Sequence, residues 1–177
     1  MKLLQFIIYS IIGIIIGSFA LNLHVKSNNH VNKIDNELET KQEALRNKEQ
    51  NGETLTTDEA KILAEDPLNR SELVFGAVIG SFTLILSMIC FGLSFYYGNQ
   101  YNYDEDISST VNILGYVLVL FEALTHIAIY AMYYNSDYNL EEESTNSGMV
   151  AVSAVFLTYT VIMTILDIFI AKGLLDN

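Results

Sequence analysis

Glu122 and His126 are the side chains of this sequence best placed to do chemistry. They lie four residues apart near the middle of an apolar stretch at 111–133, with Thr125 beside them. On a helix, residues at i and i+4 share a face, so the carboxylate and the imidazole can form a hydrogen bond or a charge-assisted pair. Because histidine exchanges a proton near neutral pH, the pair predicts a site for a proton or a cation.

The stretch at 111–133 is long enough to cross a bilayer as a helix. On membrane-insertion scales a central carboxylate costs about 2.5–3.5 kcal/mol, so Glu122 is expected to face protein or water rather than lipid. A second interpretation is structural: Glu122 forms a polar clamp with His126 or with hydroxyl groups of neighbouring helices. A metal or haem would need ligands from another chain, because two ligands on one helix do not complete a site. We therefore expect no metal and no cofactor.

A second polar face lies on the last apolar stretch, at 149–171. Helical rise places Thr160 at the depth of Glu122, so Thr160 joins the predicted intramembrane site. Asp167 lies about 10 Å nearer one interface, where it forms a predicted secondary polar site with Asn112. The members of this face recur at helical spacing: Ser153, Thr160, Thr164 and Asp167.

Charge and hydrophobicity occupy separate segments of the chain. It has 177 residues, of which 51% are hydrophobic, and a net charge of −12. A soluble core does not need four apolar runs of about 18 residues or more, so the sequence predicts an all-α integral membrane protein with four transmembrane helices. The first run exceeds the h-region of a signal peptide, and we interpret it as a retained helix. The predicted membrane helices lie at 3–23, 73–97, 111–133 and 149–171, and the predicted parts of the chain are 1–24, 25–71 and 72–177.

Small residues form packing faces on the first two predicted membrane helices. Such faces let helix backbones approach closely in lipid. They predict close helix packing, and a specific contact with a second copy is the alternative for Gly13 and Gly17. The face of the second helix advances in steps of three and four: Gly76, Gly80, Thr83, Ser87, Cys90 and Ser94.

Residues 25–71 form the one long polar segment. Apolar residues at heptad-like spacing indicate a helix, which Asn51 and Gly52 end. Thr56 and Glu59 form a capping box that starts a second helix. We predict an extramembrane helical hairpin, with a solvated charged connector as the alternative.

Basic residues are few and lie on one side of the predicted membrane. Seven of the nine Lys and Arg residues belong to 25–71, and none belongs to the acidic connections at 104–106 and 141–143. The positive-inside rule therefore places 25–71 on the cytoplasmic-equivalent side and both termini opposite. We interpret 141–143 as a solvated loop, with a cation-attracting mouth as the alternative. So few basic residues argue against a nucleic-acid partner.

No catalytic set is evident in the sequence. The single cysteine, Cys90, cannot form an intrachain disulfide or a cysteine zinc site. No phosphate-binding loop and no Ser-His-Asp arrangement is present. We therefore expect a protein that is not an enzyme by itself.

The second and third apolar stretches resemble the proteolipids of rotary ATPases. Those proteins pair a helix of small residues with a helix that bears a central carboxylate. The corresponding segments here are GAVIGSFT (76–83) and LFEALTHIAIY (120–130). The dense alternating glycines of that family are absent, and the joining loop is acidic. The resemblance implies an ion-carrying role for Glu122.

Two functions follow as hypotheses. The first is a structural or accessory subunit of a multi-subunit membrane complex, with membrane lipid and other membrane subunits or a second copy as partners. The small-residue faces, and a polar seam with no evident internal partners, favour it. The second is a proton- or cation-translocating membrane subunit that uses Glu122 with His126.

Overall fold

The protein is all-helical over the part of the chain that the computed structural model describes, residues 2–98, 100, 105–141 and 143–172. Four of the described helices are long and apolar enough to cross a membrane, so the predicted all-α class and its four long apolar helices are confirmed. Asp104 and Glu142 of the predicted acidic loops lie outside the described residues, as does the chain after Lys172. The elements are α1 (Leu3–Gln50), α2 (Thr57–Leu63), α3 (Ser71–Tyr97), α4 (Glu105–Tyr134), a 3₁₀ turn (Ser136–Tyr138) and α5 (Ser144–Ala171).

α1 is one continuous helix, whereas two helices were predicted here: a membrane helix that ends near residue 24 and a first helix of the polar hairpin. Hydropathy falls after Leu23, but no glycine or proline interrupts the chain between Gly17 and Gly52. The predicted stop is confirmed, because Asn51 and Gly52 form a turn in which Gly52 has a φ of 81°. Glycine adopts this left-handed conformation without strain.

The predicted capping box at the start of α2 is also confirmed. The Glu59 backbone N–H donates to the Thr56 hydroxyl at 3.3 Å, and the Thr56 backbone N–H donates to the Glu59 carboxylate at 2.7 Å. Together these bonds satisfy amide donors that a helix start leaves without intrahelical partners. We call residues 26–50 of α1, together with α2, the arm.

Contacts between the long helices fix their directions. His24 lies at the level of Leu73 and Gly17 at the level of Gly80, so α1 is antiparallel to α3. Lys26 lies at the level of Asn146 and Tyr9 at the level of Tyr159, so α1 is also antiparallel to α5. α4 is antiparallel to α3 and hence parallel to α1. Lys2 and Lys172 therefore share one end of the bundle, the terminal end, while the arm extends from the other, the arm end. α1 is the central helix, because 56% of its most apolar 18-residue stretch is buried, compared with 17% of the corresponding stretch of α5.

The predicted small-residue faces are buried within the chain. A Cβ atom at Gly17 would lie 3.0 Å from the Gly80 carbonyl, so α1 and α3 touch backbone to backbone. Gly76, on the same face of α3, packs against Met132 of α4. Close approach of this kind maximises van der Waals contact where lipid offers no hydrophobic driving force. The six predicted packing residues, Gly13, Gly17, Gly76, Gly80, Thr83 and Ser87, are all buried.

The arm is tied to the bundle through Arg70, at the start of α3. Arg70 pairs with Asp35 and donates to the Asn32 side chain at 2.7 Å. Burial would raise the pKa of Asp35, but hydrogen bonds from Arg70 and from the Leu68 backbone outweigh it and hold this pKa below its usual value. The Tyr138 hydroxyl adds a 3.0 Å bond to the Asn69 carbonyl. These contacts fix the base of the arm, at Asn32 and Asp35, to the start of α3.

Candidate functional site

Glu122 lies at the centre of the bundle and is fully buried. It projects from α4 toward α1 and α5: its Oε1 would lie 3.2 Å from a Cβ atom on Gly13, and its carboxyl interacts with Thr160. The prediction that Thr160 lies at the depth of Glu122 is confirmed. No described residue forms a well-aligned hydrogen bond with either carboxyl oxygen. Glu122 is thus enclosed by the helices, with Gly13 and Thr160 beside its carboxyl.

Gly13 leaves the space that the Glu122 carboxyl occupies in the bundle. A side chain at that position would occupy the space beside the Ser87 hydroxyl and Glu122 Oε1. The glycine that the sequence marked as a packing residue therefore lies at the wall of the site as well. The same glycine lets α1 approach α3.

His126 turns away from Glu122 and toward α5. Its Nδ1 shares a 2.6 Å hydrogen bond with the Ser153 hydroxyl, while its Nε2 has no hydrogen-bond partner among the described residues. The direct Glu122–His126 bond that the i,i+4 spacing permits is therefore not formed. His126 and Ser153 instead join α4 to α5 one turn from Glu122, on the arm-end side.

Thr125, the third residue of the predicted site, faces α3 instead. Its hydroxyl lies 2.6 Å from the hydroxyl of Thr83, and both hydroxyls reach the Phe121 carbonyl, at 2.8 and 3.1 Å. This is an interhelical clamp with all its partners in place. It holds α3 against α4 beside the site and does not contribute to the site itself.

Tyr9 of α1 belongs to the site, although the sequence did not single it out. It is fully buried, its hydroxyl interacts with Thr164, and the carboxyls of Glu122 and Asp167 both lie within electrostatic range of it. Its ring packs edge-on against Tyr159, with centroids 6.4 Å apart. One signal could have identified it: Tyr9, Gly13 and Gly17 follow each other at steps of four, and therefore share one face of α1.

The secondary site lies toward the terminal end. Asp167 lies near Tyr9 and Tyr116, and it borders a groove of about 260 Å³ between α1 and α5. Asn112, its predicted partner, has a buried side-chain oxygen with no hydrogen-bond partner among the described residues. Asp167 and Asn112 both belong to the terminal half of the bundle, and the site that they are expected to form together stays a prediction.

At the arm end, the same face carries ordinary polar contacts. Asn146 is buried and donates to the Leu140 carbonyl at 3.2 Å. Lys26 donates to the Asn146 side chain at 3.1 Å and pairs with Glu143. Here each polar group has a partner, unlike the groups around Glu122.

These residues form a column of polar groups along the α4–α5 side of the bundle, which we call the polar column. On α5 it runs from Asn146 to Asp167, a rise of about 31 Å, which matches the roughly 30 Å of bilayer hydrocarbon. Glu122 and His126 fill the interval between Ser153 and Thr160, where α5 offers no polar side chain on this face. The described residues contain no group of three or more His, Cys, Asp or Glu that could hold a metal ion.

No known protein family, curated protein or solved structure gives a significant match to the chain.

Proposed function

We propose that the chain is an integral, multi-pass membrane protein that binds a proton at Glu122 and passes it along the polar column. The observation that supports this most directly is the Glu122 carboxyl, fully buried with no well-formed hydrogen bond to either oxygen. A carboxyl that served only to clamp helices would be expected to have its partners in place, as Thr83 and Thr125 do. An unsatisfied carboxyl at this depth is typical of a group that takes up and releases an ion.

A proton is the occupant that this environment favours. An ionised carboxylate in an apolar interior needs a cation or several hydrogen-bond donors, and the bundle around Glu122 supplies hydroxyls and one imidazole but no described Lys or Arg. Binding a proton neutralises the group and removes most of that cost. A metal ion would need further anionic ligands at the same depth.

The proposal includes a membrane placement, which the length and hydropathy of the four long helices support. With α1, α3, α4 and α5 in the bilayer, the arm projects about 37 Å beyond it, because 25 residues of α1 continue as helix. The positive-inside rule assigns the arm end to the cytoplasmic-equivalent side and the terminal end to the opposite side. The arm then forms the extramembrane hairpin that the sequence predicts.

The test is proton flux in vesicles that contain the purified chain, under an imposed membrane potential. The variant Glu122→Gln keeps the shape of the side chain but cannot hold an exchangeable acidic proton. We expect it to insert and fold normally and to reduce flux to that of protein-free vesicles. Glu141→Gln, which changes an exposed loop acid, is the matched control and should conduct like the parent. Flux that survives Glu122→Gln unchanged would refute the proposal.

A structural or accessory subunit of a membrane complex is the second candidate. Two interhelical hydrogen bonds favour it, between Thr83 and Thr125 and between His126 and Ser153. These bonds hold the helices together whether or not an ion is transported. Against a role for the small-residue faces in binding a partner, α1 and α3 use them on each other. Mild-detergent purification distinguishes the two: an accessory subunit should co-purify with partner chains, whereas a monomer that conducts protons when reconstituted alone contradicts that function.

A further inference from the structure

The groove between α1 and α5 lies in the terminal half of the bundle and has walls on two helices. It encloses about 260 Å³. On α5 the wall residues recur at steps of three and four, so they share one face of that helix. A slender apolar ligand in this groove therefore contacts protein on two sides. The walls are mainly apolar: Leu4 and Ile8 on α1, and Tyr159, Met163, Leu166 and Ile170 on α5.

The length of the groove corresponds to one leaflet of a bilayer. Between Tyr159 and Ile170, the first and last α5 residues of the wall, α5 rises by about 16 Å. This is roughly half of the 30 Å of bilayer hydrocarbon. A membrane helix from a second copy or from another protein would need a seam along the whole of that thickness. The groove instead matches an acyl chain of a lipid in the terminal leaflet.

A basic residue lies at the outer end of the groove. Lys2 borders the groove and is exposed. The ring contact between Tyr9 and Tyr159 sets the level of α1 against α5. Lys2 lies seven residues before Tyr9, about 10 Å nearer the terminal end, and so at the level where the polar column ends. A lysine at this level extends its ammonium group to lipid phosphate while its aliphatic stem lies along the apolar wall.

Two neighbouring features of the groove leave Lys2 as the group that a phosphate meets. The first turn of α1 contains no acidic residue, so the partial positive charge of this helix end adds to that of Lys2. Asp167 borders the groove as well, but one of its carboxyl oxygens is buried in the bundle.

A second apolar hollow, on the outer face of α5, lacks both properties of the groove. It has a volume of about 400 Å³ and is lined by α5 alone, at Ala154, Val155, Thr158, Tyr159 and Ile162. None of these lining residues is charged. Exchanging lipid covers such a surface without a contact that fixes a headgroup. The two walls and the lysine therefore distinguish the α1–α5 groove from the ordinary lipid-facing surface of the same helix.

We propose that the α1–α5 groove binds one phospholipid of the terminal leaflet, with an acyl chain between the two helices and the phosphate at Lys2. Van der Waals contact holds the chain, because an apolar tail gains no hydrophobic free energy when it moves from lipid into a groove. The contact of the phosphate with Lys2 provides the preference for a phospholipid over an uncharged lipid. The proposal goes beyond the proton at Glu122 and needs only the membrane placement of the long helices.

The experiment measures lipid binding to the purified full-length chain in detergent micelles by native mass spectrometry. The chain is titrated with phosphatidylglycerol and, separately, with a diacylglycerol that has the same acyl chains but no phosphate. Leu166→Trp fills the groove from α5. Ile165→Trp is the matched control, because it adds the same indole at a neighbouring position outside the groove wall. The two parent side chains are similarly exposed, at 39% and 45%, so neither substitution disturbs a buried contact.

We expect the parent and Ile165→Trp to bind one phosphatidylglycerol with the same affinity, and Leu166→Trp to lose this one-to-one complex. Lys2→Gln should weaken binding of phosphatidylglycerol by about fivefold, the contribution of one lysine near an anionic lipid surface, and leave diacylglycerol binding unchanged. Ile8→Trp, which fills the groove from α1, decides the matter should Leu166→Trp fail to fold.

Three results would overturn the proposal. The first is parental binding of phosphatidylglycerol in the groove-filling variant, or an equal loss in Ile165→Trp. The second is a Lys2→Gln variant that binds phosphatidylglycerol as the parent does. The third is a two-chain complex without bound phospholipid that Leu166→Trp dissociates, which would assign the groove to a second copy. Proton flux through Glu122 is measured separately, so either proposal can fail while the other holds.

Discussion

Gly17 offers the sharpest test of how the bundle is held together. A Cβ atom at this position would lie 2.9 Å from the Leu84 amide nitrogen, 3.0 Å from the Gly80 carbonyl oxygen and 3.1 Å from the Leu84 Cα. All three atoms belong to the α3 backbone, so no side-chain rotation relieves the contact. Gly17→Ala therefore has to push α1 away from α3.

The size of the effect follows from these distances. Carbon atoms pack best at about 3.5–4.0 Å, so the two helices must separate by roughly half an ångström. A gap of 0.5–1 Å already forfeits about a quarter to a half of the attraction between facing atoms. Such overpacking costs about 1–3 kcal/mol. Gly92→Ala is the matched control, since a Cβ atom there meets nothing within 4 Å. Both variants gain the same helix propensity, so the difference between them isolates the cost of separating α1 from α3.

The assay is equilibrium unfolding of the purified chain in mixed detergent micelles, with helix content followed by circular dichroism. We expect Gly92→Ala to be as stable as the parent or more so, and Gly17→Ala to be less stable than Gly92→Ala by about 1–3 kcal/mol. Gly76→Ala should fall between them, because its Cβ would meet only the flexible end of Met132. If Gly17→Ala and Gly92→Ala differ by less than about 0.5 kcal/mol, the size of an ordinary surface substitution, the close α1–α3 contact is wrong.

Two further predictions concern the arm and the α3–α4 clamp. The hydrogen bond from Lys48, with those from Thr56, lowers the pKa of Glu59 to about 2 from its usual 4.5. This ion pair should therefore stabilise the docking of α2 fully at pH values above 4.5 and lose that effect as the pH falls toward 2. The protection factors of the α2 amides in hydrogen exchange measure the change. Glu59→Gln should remove the pH dependence. A double-mutant cycle of Thr83→Val and Thr125→Val should give a coupling of about 0.6 kcal/mol, the average for hydrogen bonds between membrane helices, in the unfolding assay. A coupling of zero would contradict the 2.6 Å contact between the two hydroxyls.

The sequence predicts the long helices well because hydropathy and turn chemistry are local properties. The four apolar stretches, the stop at Asn51–Gly52 and the capping box at Thr56 and Glu59 each depend on residues within a few positions of each other, and all are found. The continuity of α1 was wrongly predicted for the opposite reason. Hydropathy reports where a helix leaves an apolar environment, but a helix ends only where its backbone bonding stops, and no residue between Gly17 and Gly52 stops it.

The candidate site was predictable along each helix but not across helices. That Glu122 and Thr160 lie at the same depth follows from the helical rise per residue, once α4 and α5 are taken as antiparallel neighbours. The contacts of Thr125 with α3 and of His126 with Ser153 depend on the rotation of α4, which one sequence does not define. Tyr9 was missed because its neighbours lie more than 100 residues away in the chain, and only the packing of α1 into the centre of the bundle brings them together.

The polar groups of the bundle fall into two classes, and the contrast bears on what Glu122 is for. Thr83, Thr125 and the Nδ1 atom of His126 have short interhelical partners, and such bonds stabilise a membrane bundle at modest cost. Tyr9 and Glu122 are as deeply buried, but their hydroxyl and carboxyl oxygens lack well-aligned partners among the described residues. A bundle selected only for stability would do better with apolar side chains of similar volume at those two positions. A buried acid without well-aligned partners is expensive as a scaffold, whereas a site that takes up and releases a proton needs a group that can both accept a proton and give it up.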